Sequence, residues 1–134
     1  MCRRPQCRRS PCGAALCRRL SHRLGAKVFR DFDFGQAILK PESHPALDEI
    51  VRLLSAQPAV NLYVVGHTDN VGGYESNLSL SRARAEAVVA ALLSRADVDR
   101  ARLVPAGVAD LAPVASNATE SGRAMNRRGE LVAR

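Results

Sequence analysis

The stretch Val60-Asn61-Leu62-Tyr63-Val64-Val65-Gly66-His67-Thr68-Asp69-Asn70-Val71-Gly72-Gly73, followed by Asn77 and then Leu80-Ser81-Arg82-Ala83-Arg84-Ala85, decides how this chain folds. Residues 60–65 form a mainly apolar and β-branched run, which reads as a buried central strand that Gly66 closes. A glycine-rich loop follows. Ser81 has the chemistry of an N-cap and predicts a helix from there to about residue 96. Strand, loop and helix together set an acid, Asp69, just past a strand end. They set a base, Arg84, in what reads as the first helical turn.

Reading outward gives the rest of the fold. Val28, Phe29, Phe32 and Phe34 make a short β-run with Asp31 and Asp33 interleaved. Ser43, Pro45 and Glu49 mark a helix start. Leu47, Ile50, Val51 and Leu54 follow at amphipathic spacing, and Pro58 stops the helix. Beyond the central helix, residues 102–107 read as a short strand. Pro105 within it argues for a sheet edge or an early stop. Residues 111–120 read as loop, 121–127 as a short helix and 129–133 as a last strand. The order β-α-β-α-β-α-β predicts an α/β sandwich with its helices packed on one mixed β-sheet. No internal repeat is visible.

Charge is unevenly placed. The chain of 134 residues carries a formal charge of +7. Residues 1–26 hold seven Arg and no acid, so residues 27–134 carry 13 basic against 13 acidic side chains. The second part therefore offers no net basic excess to a phosphate backbone, which argues against nucleic acid as a partner. All four cysteines also fall in the first part, at Cys2, Cys7, Cys12 and Cys17. That spacing matches neither a redox pair nor a zinc knuckle. Residues 1–26 read as a disordered Arg/Cys-rich tail, a non-native or wrongly started extension, with a basic arm for nucleic acid or anionic lipid as the sharper alternative. Its longest apolar run, residues 13–17, is shorter than a signal peptide or a membrane span requires. Ala14-Ala15-Leu16-Cys17 resembles a lipoprotein box only loosely, so no convincing export signal is read. The domain proper is placed at residues 27–134.

The acid and the base carry the chemistry. On a helical wheel with Leu80 at zero, Ala87, Ala91 and Val88 define the buried side, and Arg84 falls among them at about 40°. Arg82 and Glu86 fall on the solvent side, where they can pair. A guanidinium aimed inward needs a partner. One solution is a structural Asp69–Arg84 ion pair. Another is a shared pocket in which a zwitterion takes the acid with its ammonium and the base with its carboxylate. Gly72 and Gly73 allow close backbone approach, while Asn77 suits a ligand or a loop clamp equally. Thr68 and Asp69 sit where α/β sheets place their sites. His67 and Asp69 are too few to hold a metal. No catalytic or cofactor motif is present, so neither an enzyme nor a cofactor is expected.

The motifs Gly66-His67-Thr68-Asp69-Asn70-Val71-Gly72, Asn77, Leu80-Ser81-Arg82-Ala83-Arg84-Ala85 and Gly122-Arg123-Ala124-Met125-Asn126-Arg127-Arg128 resemble the OmpA-like peptidoglycan-binding domain. That family includes domains of outer-membrane porins, the peptidoglycan-associated lipoprotein and flagellar stator subunits. The resemblance implies non-covalent binding of the peptidoglycan stem peptide at the periplasmic face of a Gram-negative envelope, anchoring the outer membrane or an envelope complex to the wall. It implies that Asp69 takes the ammonium and Arg84 the carboxylate of diaminopimelate, with Thr68, Asn77 and Arg128 in support. The alternative is a degenerate copy that contacts envelope proteins or a second copy of itself and keeps Asp69 and Arg84 as a structural pair. Gly129 departs from the pattern, where a β-branched residue is usual, and predicts a weakened last strand. The family's membrane anchor or signal is not found.

Overall fold

The computed structural model describes residues 28–29, 32 and 35–134. The Arg/Cys-rich tail lies outside the described residues, as do Arg30, Asp31, Asp33 and Phe34 of the first β-run.

The chain runs β1 (Val28–Phe29), a 3-10 turn (Pro41–Ser43), α1 (His44–Ala56), β2 (Leu62–Gly66), α2 (Tyr74–Arg95), a second 3-10 turn (Arg100–Arg102), β3 (Leu103–Gly107), α3 (Glu120–Asn126) and β4 (Gly129–Ala133). The four strands form one sheet in the order β1-β4-β2-β3. β2 and β3 are parallel, whereas β4 is antiparallel to both β1 and β2. The expected β-α-β-α-β-α-β order on one mixed sheet is what forms.

Helix α1 buries Leu47, Ile50 and Leu54, the face its spacing predicts, and ends just before Pro58. These side chains meet Ala85, Val88 and Leu92 of α2 over Leu62, Val64, Leu103 and Leu131 of the sheet. Full burial of each Leu or Val contributes roughly 1.5–3 kcal/mol. Pro105 lies in β3, at the sheet edge, where its missing N–H leaves no ladder bond unmade.

Two expectations are corrected. Residues 60–65 are not buried on both faces. Leu62 and Val64 face the helices, but Tyr63 is 40% exposed opposite an equally open Val132. The helices cover one face only, so the strand alternates in the manner of an antiparallel sheet.

The second correction concerns α2. It begins at Tyr74 behind an extended Gly73, so Ser81 is an interior residue and not its cap. The Ser81 hydroxyl donates to the Leu78 carbonyl and accepts from the Ala109 N–H, a back-bonded serine that ties the helix to the loop beyond β3. Its small size lets α2 lie against the strand ends. A Cβ at Gly66 would collide with the Ser81 carbonyl oxygen, and one at Gly107 with its hydroxyl. Gly129 opens β4 opposite Gly66, and the strand forms despite the expected weakness there.

At the other end of the sandwich, Arg102 reaches across to donate to the carbonyls of Val60, Leu54 and Gln57 at 2.9–3.0 Å. A cation at the last carbonyls of α1 also suits the helix dipole. No helix among the described residues is long and apolar enough to cross a membrane.

Candidate functional site

Beyond Gly66 the chain leaves the sheet held on both sides. The His67 N–H donates to the Arg128 carbonyl at 2.8 Å, and the Thr68 N–H to the Ala109 carbonyl at 2.9 Å. Asp69 then turns its carboxylate back on its own loop, where Oδ1 accepts the Val71 N–H at 3.1 Å. This local turn is what aspartate does well. Gly72, at φ +92°, completes the loop in a conformation that favours glycine. Asn77 donates to the Asp69 carbonyl at 3.3 Å and so clamps the loop to α2.

Arg84 is fully buried. Its Nε donates to the Gln36 carbonyl and its Nη1 to the His67 carbonyl, both at 2.9 Å. Its guanidinium lies 5.3 Å from the centre of the Phe32 ring, a cation–π contact. Burial lowers its pKa from the ordinary guanidinium value to about 10, with the Asp69 charge opposing that shift and the Arg127 charge adding to it. Arg84 is therefore still a cation at neutral pH. It does not sit in the first turn of α2, as expected from the Ser81 cap. It lies about 15 Å along the axis from Tyr74, too far for the helix dipole to act on an anion held there.

The direct Asp69–Arg84 ion pair considered as the structural alternative is not formed. Asp69 Oδ2 instead accepts from Arg127 Nη1 at 2.9 Å, with both side chains at least nine-tenths buried. Arg127 Nη2 in turn meets Glu120 Oε1 at 2.7 Å. Glu120 also pairs with Arg123 at 3.0 Å, and these hydrogen bonds, first from Arg127 and then from Arg123, hold its carboxyl below the usual carboxylate range. The result is a chain of alternating charges, Arg123–Glu120–Arg127–Asp69, that runs from the surface to the loop.

Asp69, Asn77, Arg84 and Arg127 line a single cleft of about 310 Å³, with Val71, Gly72 and Ser76 also in its wall. Of the residues expected at the site, Asp69, Asn77 and Arg84 are thus brought together. Thr68 is buried beside them, and its hydroxyl has no hydrogen-bond partner among the described residues. Arg128 is directed elsewhere. Its Nε meets Glu130 at 2.7 Å and its Nη2 donates to the Ala112 carbonyl at 3.0 Å. Sequence reasoning missed Arg127. Its only signal was adjacency to Arg128, and consecutive residues entering a strand point to opposite sides.

His67 does not line the cleft. It is buried with Nε2 3.6 Å from Glu130. Its pKa is lowered from the ordinary 6.5 by burial and then by Arg128, against the pull of Glu130. Among the described residues no group of three or more His, Cys, Asp or Glu side chains could hold a metal ion.

The two-layer sandwich thus brings one buried carboxylate and two guanidinium groups to one cleft. The sequence pattern of the OmpA family matches residues 31–127, and the chain belongs to that family. It is a family of non-catalytic domains that includes peptidoglycan-associated lipoproteins and MotB-type periplasmic domains, proteins typical of the periplasm and outer membrane. Probable lipoprotein YiaD of Escherichia coli (strain K12) is 38% identical over 101 residues, 75% of this chain and 46% of that protein. The chain spans about half or less of the length of the curated relatives it matches first. The crystal structure of the peptidoglycan-associated lipoprotein from Burkholderia pseudomallei is similar with a TM-score of 0.76 and 31% identity, covering 82% of this chain and 92% of that one. The cell wall anchor of the type VI secretion system (T6SS) from Pseudomonas aeruginosa gives a TM-score of 0.61 at 34% identity, covering 76% and 73% of the two chains.

Proposed function

We propose that residues 27–134 bind peptidoglycan non-covalently through the diaminopimelate of its stem peptide, and that residues 1–26 take no part. Asp69 accepts the ammonium of the side-chain zwitterion, and Arg84 receives its carboxylate. The observation that carries this reading is the meeting of Asp69, Asn77 and Arg84 in one cleft. Arg84 is anchored through Nε and Nη1 to two backbone carbonyls, so its plane is set before any ligand arrives. A fixed guanidinium presented to a cleft suits a carboxylate far better than a flexible ammonium would. Asn77 keeps the Asp69 loop in place, the Arg128 carbonyl holds the start of that loop by accepting the His67 N–H, and Thr68 is buried behind it. The relatives named for peptidoglycan association and cell-wall anchoring support this ligand class.

Each charge-assisted hydrogen bond contributes about 1.5–3 kcal/mol, so one cleft binds a single stem modestly. Anchoring then comes from many domains on one polymer. In the organism this places the domain at the periplasmic face of the envelope, tying the outer membrane or an envelope complex to the wall.

The test is co-sedimentation of the full chain with diaminopimelate-type sacculi, beside Asp69→Asn and Arg84→Lys. Wild type should pellet with the wall while both variants, folded by circular dichroism, stay in solution. A folded wild type that remains in the supernatant would reject the reading and favour a degenerate domain that contacts envelope proteins or its own copy.

A further inference from the structure

Asp69 is already engaged before the ligand arrives. One oxygen accepts the Val71 N–H and the other the Arg127 guanidinium. An incoming ammonium must therefore share this carboxylate with a buried cation or take it over. Either course is unfavourable if Arg127 has nowhere else to place its charge, because an unpaired guanidinium one-tenth exposed is costly.

Glu120 supplies that alternative. It stands in the first turn of α3, 65% exposed, and takes the second arm of Arg127 at 2.7 Å. It does not line the cleft. Its other oxygen is held by Arg123, whose Nη1 is fixed in turn to the Asn117 carbonyl at 2.9 Å. Glu120 is thus a fixed acceptor for Arg127 on the side away from Asp69.

We propose that Glu120 is a positioning residue for ligand binding, which holds Arg127 so that Asp69 can receive the ligand's ammonium. This rests on the peptidoglycan reading above and adds a selectivity element to it. Glu120 acts in two ways of the same sign. It draws Arg127 away from sole dependence on Asp69, and its negative charge offsets the repulsion between Arg127 and the ammonium. Neither effect favours the carboxylate end of the ligand, which the Glu120 charge repels. Glu120 therefore governs discrimination for the ammonium and not affinity in general.

The experiment is calorimetric titration of the full chain with a soluble diaminopimelate-containing stem tripeptide and with the same tripeptide acetylated on its free side-chain amine. Wild type, Glu120→Gln and Glu120→Asp are compared, with thermal melts to verify folding. Wild type should prefer the unmodified peptide. Glu120→Gln should weaken binding of that peptide by roughly three- to fivefold, the scale of a partly exposed ion pair, and leave the acetylated peptide unweakened. Glu120→Asp should recover part of the preference. A merely structural role would weaken both peptides together. An unchanged ratio between the peptides in Glu120→Gln overturns the inference while leaving the ligand reading intact. No binding of either peptide by wild type overturns both.

Discussion

Two arginines, one at each end of the sandwich, do the same local work and differ in what lies beyond them. Arg102 donates through Nε and Nη2 to the carbonyls of Val60, Leu54 and Gln57, and so ties the end of α1 to the approach to β2. Arg84 also donates to backbone carbonyls, those of Gln36 and His67. Yet Arg84 opens on a cleft that holds a carboxylate and a second guanidinium. A backbone-anchored arginine is thus a structural clamp in one place and a preset receptor in the other. The difference lies in the acid, Asp69, and in the glycine loop that leaves room in front of it.

Four changes separate the two ends. The largest effect is expected from Gly66→Ala. The new methyl meets the Ser81 carbonyl and forces α2, which carries Arg84, off the sheet. Overpacking of this kind costs about 2–3 kcal/mol, so the melting temperature should fall by roughly 10–20 °C with sacculus binding lost as well. Arg102→Ala leaves three carbonyls short of a donor. It should destabilise by about 2 kcal/mol in a urea melt while binding to the wall is untouched. A binding loss in that variant would mean that the two ends are not independent.

Arg84→Lys should show the opposite pattern. A point charge cannot serve two carbonyls and a carboxylate in one plane, so affinity for the stem peptide should fall at least about tenfold, beyond any loss in the melt. The smallest effect belongs to His67. Its folded pKa lies below 6.5, so as pH falls through 6.5 the unfolded chain takes up a proton that the folded chain refuses. Stability contributed above pH 6.5 is therefore lost progressively down to the folded value. His67→Gln should flatten that part of a stability-against-pH curve and leave neutral-pH binding in place.

Much of the frame was readable from the chain. Leu47, Ile50 and Leu54 announce α1 because an apolar face repeats cleanly, and Pro105 announces an edge because it has no N–H to give. The start of α2 was hidden because its buried face carries Asn77, Ser81 and Arg84, polar residues that interrupt the apolar period. Ser81 then resembled a cap, although its hydroxyl is spent on Leu78 and Ala109. Asp69 and Arg84 stood out individually, but not their separation. Which of Arg127 and Arg128 enters the cleft depends on the register that sets Gly129 opposite Gly66, and register is a property of the assembled sheet.

The most direct test of the divided zwitterion is the crystal structure of the chain with a diaminopimelate-containing stem peptide bound. The ammonium should lie within hydrogen-bond distance of Asp69 and the carboxylate on the guanidinium of Arg84, with Arg127 still on Glu120. A peptide seated on the open face of the sheet at Tyr63 and Val132, or one whose carboxylate meets Arg127 alone, would contradict the account.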